Sequence, residues 1–191
     1  MSDLLDYKQT TPLKGGPSFS LKSRILRATW NFVWFVAASW TPPFMHRWRR
    51  WLLIVFGAQM GWPTDVRGSA RIWYPPLLVM QDGALIAERV RCYNQAQIII
   101  GRFSLVSQGA HLCAGTHDVD DPNFQLVAKP ICIGAYAWIA AESFIGPGVI
   151  VNDYAVLGAR ACTFKDLAKN TVYIGNPASP LRLRKSRTMD V

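Results

Sequence analysis

The run CAGTHDVDDPNF, residues 113–124, holds the side chains best suited to chemistry. His117 carries an imidazole, the one common side chain that exchanges a proton near neutral pH and can take one from an alcohol. Asp118 follows it and could hold a ligand hydroxyl or cap a turn of its own loop. The other histidines are His111, six residues earlier, and His46, in an arginine-rich stretch. Cysteines stand at 92, 113, 132 and 162 with no C-x-x-C spacing, which argues against zinc ribbons and dithiol redox chemistry. No metal is expected, and a disulfide framework does not suit this length and spacing.

The elements that must position His117 follow a period of six. Ile133, Ile139, Ile145, Val151 and Leu157 are aliphatic residues six apart. Each is followed by a small or turn-compatible residue, Gly134, Ala140, Gly146, Asn152 and Gly158. Four positions after each aliphatic stands a small or β-branched residue, Ala137, Ser143, Val149, Ala155 and Ala161. Upstream, Ile100, Val106 and Leu112 precede Ser104, Ala110 and Thr116, while Met80, Ile86 and Cys92 precede Ala84, Val90 and Ala96. Six residues make one short strand and one turn, and three such units close a triangular coil. The aliphatic residue points inward and stacks on its counterpart 18 positions on, as Ile139 on Leu157. The fifth residue fills a corner and must be small, and the turn residue needs a backbone that Gly or Asn tolerates. Stacked coils pair their strands in parallel around one core. An antiparallel sandwich would show a period of two instead. The frame slips by two residues before Met80 and before Ile100, and breaks once between Leu112 and Ile133, a spacing of 21. The acidic, turn-rich segment in that break must project as a loop, with His117 where the coil gives way to it.

The organisation expected is a basic helical segment over 1–61, a β-helix over 62–178 and a basic tail over 179–191. In the first segment Ser20 suits a helix cap, Pro42 and Pro43 break the chain, and Gly57 suits a helix end. Leu21, Ile25, Ala28, Phe32, Phe35 and Val36 recur at helical spacing, as do Phe44, Trp48, Trp51, Leu52 and Val55. The apolar run Ala28–Trp40 is too short to span a bilayer, which takes about 20 residues. Two readings stay open: helices that pack on the β-helix, or a pair in the membrane interface through residues 20–57, where tryptophans and arginines belong. The net charge of +9 divides as +6, zero and +3 over the three segments. The main domain thus has no basic bias, which argues against nucleic acid and leaves an anionic membrane or a phosphorylated ligand as partners of the termini. The start of the chain lacks the pattern of a secretory signal, so a cytoplasmic protein is expected.

The CAGTHDVDDPNF run, IGAYAWIAAESFIGPGVIVNDYAVLGA (133–159) and FKDLAKNTVYIGNPA (164–178) together resemble the hexapeptide-repeat O-acetyltransferases. Within that family the likeness is to the group serving colanic acid and related exopolysaccharides, and it covers about residues 20–187. The resemblance implies a mainly β fold, a left-handed parallel β-helix, in a homotrimer with each active site between two prisms. It implies acetyl-CoA as donor and a carbohydrate hydroxyl as acceptor. His117 matches the general base, and the backbone N–H of Ala141 matches the oxyanion donor. Trp138 matches a tryptophan beside the acetyl and pantetheine groups, although packing between subunits would use it equally. Ala159 matches a small residue along the pantetheine arm. Lys165 and Arg182 match basic positions near the CoA phosphates, or are solvated charges. Cys92 and Asn94 both fall near the family's acceptor-binding asparagine, with Asp118 a third acceptor candidate. Phe164 departs from the family, which often carries Ser or Thr there. The competing functions are amino-sugar N-acetylation on the same fold, a γ-type carbonic anhydrase, which would need three histidines around a metal, and a non-catalytic β-helix module.

Overall fold

The computed structural model describes Leu4, Leu5, Thr10 and residues 16–185. The end of the basic tail, Arg187 included, lies outside the described residues. The six-residue period becomes a triangular solenoid of short parallel strands. Its first coil is β1 (Gln59–Met60), β2 (Asp65–Val66) and β3 (Arg71–Ile72), and its second is β4 (Leu78–Met80), β5 (Leu85–Ile86) and β6 (Arg91–Tyr93). The third is β7 (Ile98–Ile100), β8 (Leu105–Val106) and β9 (His111–Cys113), followed by an antiparallel hairpin, β10 (Gly115–His117) and β11 (Leu126–Ala128). The fourth is β12 (Ile131–Ile133), β13 (Trp138–Ile139) and β14 (Phe144–Ile145). The fifth is β15 (Ile150–Val151), β16 (Val156–Leu157) and β17 (Cys162–Thr163). Then β18 (Thr171–Ile174) continues the stack, and β19 (Ser179–Leu183) folds back antiparallel on it. The first part of the expected tail is therefore a strand of the solenoid.

Three faces result. The first is β1-β4-β7-β12-β15, the second runs from β2 to β19, and the third is β3-β6-β9-β14-β17. Ile139 stacks on Leu157 in register, and Ile133 on Val151. Ala137, Ser143, Val149, Ala155 and Ala161 are buried at the corners, as their small size requires. Thr116 breaks this rule. It is exposed on β10, and Ala114 takes the inward place after Leu112. Coil length explains the frame slips. Met60 pairs with Met80 and Met80 with Ile100, 20 residues per coil, whereas Ile133 pairs with Val151 at 18. Ile100 pairs with Ile133, 33 residues on. The extra residues all enter at one corner, after β3, β6 and β9.

The residue with positive φ is the fourth of a unit rather than the expected second: Tyr136 at 55°, Glu142 at 58°, Tyr154 at 60°, Arg160 at 57°. The second position needs glycine for a different reason. A Cβ at Gly134 would lie 2.6 Å from Asp153 Oδ1 and 2.7 Å from its amide nitrogen, because successive coils touch there.

Helix α1 (Leu21–Ala37) begins at Ser20, whose hydroxyl accepts from the Ser23 amide at 3.2 Å. After the prolines comes α2 (His46–Val55), with Gly57 at φ 96° beyond its end. The helices cap the open end of the prism, but, Leu52 apart, not through the apolar residues at helical spacing. Trp30 and Trp34 of α1 are buried, and their indole N–H groups donate to Ile72 O (2.7 Å) and to Gly68 O (3.0 Å) and Ala70 O (3.2 Å). From α2, Leu52, Leu53 and Arg49 are buried. Leu21, Ile25, Phe32, Phe35, Val36, Phe44, Trp48, Trp51 and Val55 stay exposed. The reason is chemical. The prism end offers unpaired strand carbonyls along with its apolar core, so donors on large side chains win the inward places. Arg49, with no exposed surface, donates to Val66 O at 2.6 Å, Thr41 Oγ1 at 3.0 Å, Pro42 O at 2.8 Å, Pro43 O at 2.9 Å and Asp65 Oδ1 at 3.1 Å.

Candidate active site

His117 ends β10, on the hairpin that leaves the corner after the third face. Its Nδ1 lies 2.8 Å from the Phe124 carbonyl oxygen, and its ring stacks on Phe124 at 4.4 Å and 10°. A carbonyl only accepts, so Nδ1 carries the proton and donates. That fixes the tautomer and leaves Nε2 as the basic nitrogen. Asp118 takes the turn-capping role. Its Oδ1 accepts from the Asp120 amide at 3.1 Å, and its own amide donates to Gln125 O at 2.9 Å.

A cleft of about 420 Å³ opens beside the histidine, lined by Phe19, Arg24, Arg27, Tyr93, Gln95 and Thr116 among others. Tyr93 and Gln95 belong to the corner where the second coil is two residues too long, so the frame slip was their signal. Arg24 and Arg27 come from α1, about 90 residues away in sequence, and no repeat pattern could have found them. Gly115 passes so close to Gln95 Oε1 that a Cβ would overlap it, which fixes the hairpin root against that amide.

The other acceptor candidates lie inside the solenoid. Cys92 is buried in β6, and burial pushes its thiol up to about 12. Asn94 is also fully buried, with Oδ1 accepting from Tyr74 N at 3.0 Å and Nδ2 donating to Tyr74 O at 2.7 Å. The asparagine staples the corners of two coils, and its amide is committed to that bond pair. All four cysteines are free thiols.

Ala141 stands at the opposite edge of the third face from His117, on the corner between β13 and β14. Its carbonyl accepts from Arg160 N at 2.9 Å, and among the described residues its own N–H has no partner. Ala159 occupies the same corner one coil on, 18 residues later. Trp138 lies half-exposed on the second face, its indole donating to Ser107 Oγ at 2.9 Å. Arg182, exposed on β19, shares that face. Lys165 follows β17 on the far side of the third face, beside Phe164, whose ring covers Gly146. One chain thus separates the imidazole from the unpaired Ala141 amide. His111 is near that second corner, in a cleft of about 390 Å³ with Arg89, Arg91 and Glu142. Burial, then the charge of Arg91, lowers its pKa. Among the described residues no group of three or more His, Cys, Asp or Glu is placed to hold a metal.

No family model matches the chain. It is 36% identical over 184 residues to WcaF of Escherichia coli (strain K12), a protein assigned as a colanic acid biosynthesis acetyltransferase, covering 96% of this chain and 98% of that one. Its fold is that of a maltose O-acetyltransferase from Clostridium difficile 630, with a TM-score of 0.79 at 20% identity over 87% of this chain and 90% of the other. A Vibrio cholerae hexapeptide-repeat acetyltransferase solved with acetyl-CoA gives 0.77 at 22% identity, over 87% and 91%. With its six-residue repeat units, its corner hairpin bearing a tautomer-fixed imidazole, and a relative matched along almost its whole length, the chain belongs to the hexapeptide-repeat acetyltransferases.

Proposed function

We infer that the chain is an O-acetyltransferase that moves an acetyl group from acetyl-CoA to a sugar hydroxyl, with His117 as general base. The observation that carries this is the Nδ1–H bond to Phe124 O, which leaves Nε2 free to take a proton at the mouth of a cleft. Nε2 removes the acceptor's hydroxyl proton as that oxygen attacks the thioester carbonyl carbon. The tetrahedral oxyanion takes a hydrogen bond from the Ala141 N–H. Collapse breaks the carbon–sulfur bond, and the CoA thiolate takes the proton from the imidazolium. Trp138, Ala159, Lys165 and Arg182 are the proposed donor-side contacts. The acceptor site lies on the His117 side, with Asp118 at its loop; Cys92 and Asn94 act there only by shaping the corner beneath it.

Because His117 and Ala141 occupy opposite edges of one face, a complete site needs a second copy of the chain, and we assign a homotrimer with three such sites. Sedimentation should give three times the chain mass. His117→Ala should lose about 10²–10⁴ in kcat, the usual worth of a positioned base. CoA release is the assay, with thermal melting as the control on folding. Near-full turnover in that variant would end this assignment.

The exposed helical face supports a membrane-surface location. Phe35 is 73% exposed, Trp40 70% and Phe44 78%, with Arg47 and Arg50 close by on α2. No helix among the described residues is long and apolar enough to cross a bilayer. An interfacial pair buries aromatic rings at the headgroup boundary and sets arginines against anionic lipid. Vesicles containing phosphatidylglycerol should pull down the protein at low salt, and Phe35→Ser with Phe44→Ser should release it. A protein that ignores such vesicles contradicts the location.

A further inference from the structure

Among the described residues, the His117 cleft has a cationic wall with no acidic side chain to neutralise it. Arg24 and Arg27 of α1 line it, and no described Asp or Glu does. Among the described residues neither arginine joins an ion pair. Arg27 is held rigidly, its guanidinium 4.2 Å from the Trp73 ring centroid and 5.0 Å from that of Phe19. Its Nε is buried with no hydrogen-bond partner. Across the cleft, Gln95 Nε2 donates to the Tyr93 hydroxyl at 2.8 Å, and its Oε1 is likewise buried and unpaired.

Two orphaned polar groups in one small cleft are costly. Each buried unsatisfied group costs about 1–3 kcal/mol, a penalty that a ligand bringing the missing partner removes. What fits a planar guanidinium fork fixed by aromatic rings is a carboxylate or a phosphate, which takes parallel N–H bonds. A neutral sugar would leave the cation solvated only by water. The solenoid as a whole carries no excess charge, so the cleft's cations are supplied by the basic helical segment, which carries +6.

We propose that the acceptor of this enzyme is an anionic saccharide, a glycosyl phosphate or a uronic acid, whose anion is held by Arg24 and Arg27 while its hydroxyl faces His117. This rests on the acetyl-transfer reading of the site and deepens it. The arginines determine specificity, acting on KM for charged acceptors, and the imidazole does the chemistry. Gln95 supplies the neutral hydrogen bond that orients the sugar ring.

The test is calorimetric, with wild-type protein and no acetyl-CoA, so that binding is read without turnover. The probes are matched sets: galactose, galacturonate and galactose 1-phosphate, and the same three for glucose. At least one anionic member should bind ten times more tightly than its neutral sugar, and the carboxylate and phosphate arms identify the source of the anion. Arg24→Ala, at an exposed position where folding is not at stake, and Arg27→Ala should each erase most of that preference. Binding of the neutral sugar should not change, Arg27→Lys should keep part of the preference, and CoA affinity should stay the same in every variant. Equal binding of charged and neutral members overturns the proposal. So does a loss of both alike in the variants, or a loss confined to CoA. Acetyl transfer without charge preference sinks only this proposal, and charge-selective binding without transfer sinks only the transferase reading.

Discussion

Arg49 offers the sharpest test of how the prism end is closed. Its guanidinium is fully buried and satisfies Val66 O, Thr41 Oγ1, Pro42 O, Pro43 O and one oxygen of Asp65. Three of these acceptors are backbone carbonyls. A buried ion pair can often be replaced by apolar residues at no loss, but backbone carbonyls cannot be replaced. Arg49→Met keeps much of the volume and removes every donor. Asp65 still has Arg67 at 3.2 Å, so it is not left as a lone charge. Val66 O and Pro43 O lose this donor, each at about 1–3 kcal/mol, part of which water recovers, while Pro42 O keeps the Met45 amide and the Thr41 hydroxyl keeps its bond to Ala38 O. The expected net loss is about 3–5 kcal/mol, the range seen when one partner of a buried charged network is removed. For a chain of this size that is about 6–20 °C in Tm. Urea denaturation followed by circular dichroism gives the number, and Arg49→Lys, which reaches only part of the acceptor set, should fall between. If Arg49→Met lies within about 1 kcal/mol of wild type, the cap is not held by this network and the account of the inverted helix faces fails with it.

Asn94→Ala separates a staple from an acceptor ligand. It removes the acceptor of the Tyr74 amide and one of the two donors to its carbonyl, which keeps the Leu77 amide, so it should cost about 1–3 kcal/mol in urea melts, and a rise in KM with normal stability would reverse that assignment. His111 makes stability depend on pH. Its folded pKa is lowered, so above the unfolded value both states are neutral and it has no effect; as pH falls below that value the unfolded chain takes the proton first, and stability drops until the folded pKa is passed. The drop in Tm between pH 7.5 and pH 5 should shrink in His111→Gln, and an unchanged drop would show that another group governs it.

The solenoid was legible because its rule is local and repeated. An aliphatic residue every six positions with a small residue four places later admits few other folds, and Ile139 does stack on Leu157. His117 was legible for the opposite reason, as the residue standing where that rule stops. What stayed hidden depends on contacts between distant segments. Hydrophobic periodicity marked the apolar sides of α1 and α2 but not which sides meet the prism, because it cannot see that the surface they cover is studded with open carbonyls. There Trp30, Trp34 and Arg49 outcompete Phe32, Phe35 and Trp51. Asn94 serves the backbone, its amide holding Tyr74 of the preceding coil. The misplaced turn residue has the same character: glycine at the second position marks where coils touch, whereas the left-handed backbone falls two residues later on ordinary side chains such as Tyr136 and Glu142.

These corrections share one consequence, which turns on α1. A helix that packed through its Leu and Phe residues would present its arginines and tryptophans to solvent. Packed through Trp30 and Trp34 instead, it is rotated so that Arg24 and Arg27 reach the cleft beside His117 while Ile25, Phe32 and Phe35 face outward. A single helix therefore couples the acceptor site to the apolar end of the molecule. If that end rests on a bilayer, the cleft opens next to the headgroup layer, where an anionic saccharide anchored to lipid would present its charge. A free sugar would gain nothing from this arrangement. On the proposed reading, the rotation of α1 would make membrane contact and anion recognition aspects of one surface, and vesicles that bind the protein should then also raise its turnover of lipid-linked acceptors relative to soluble ones.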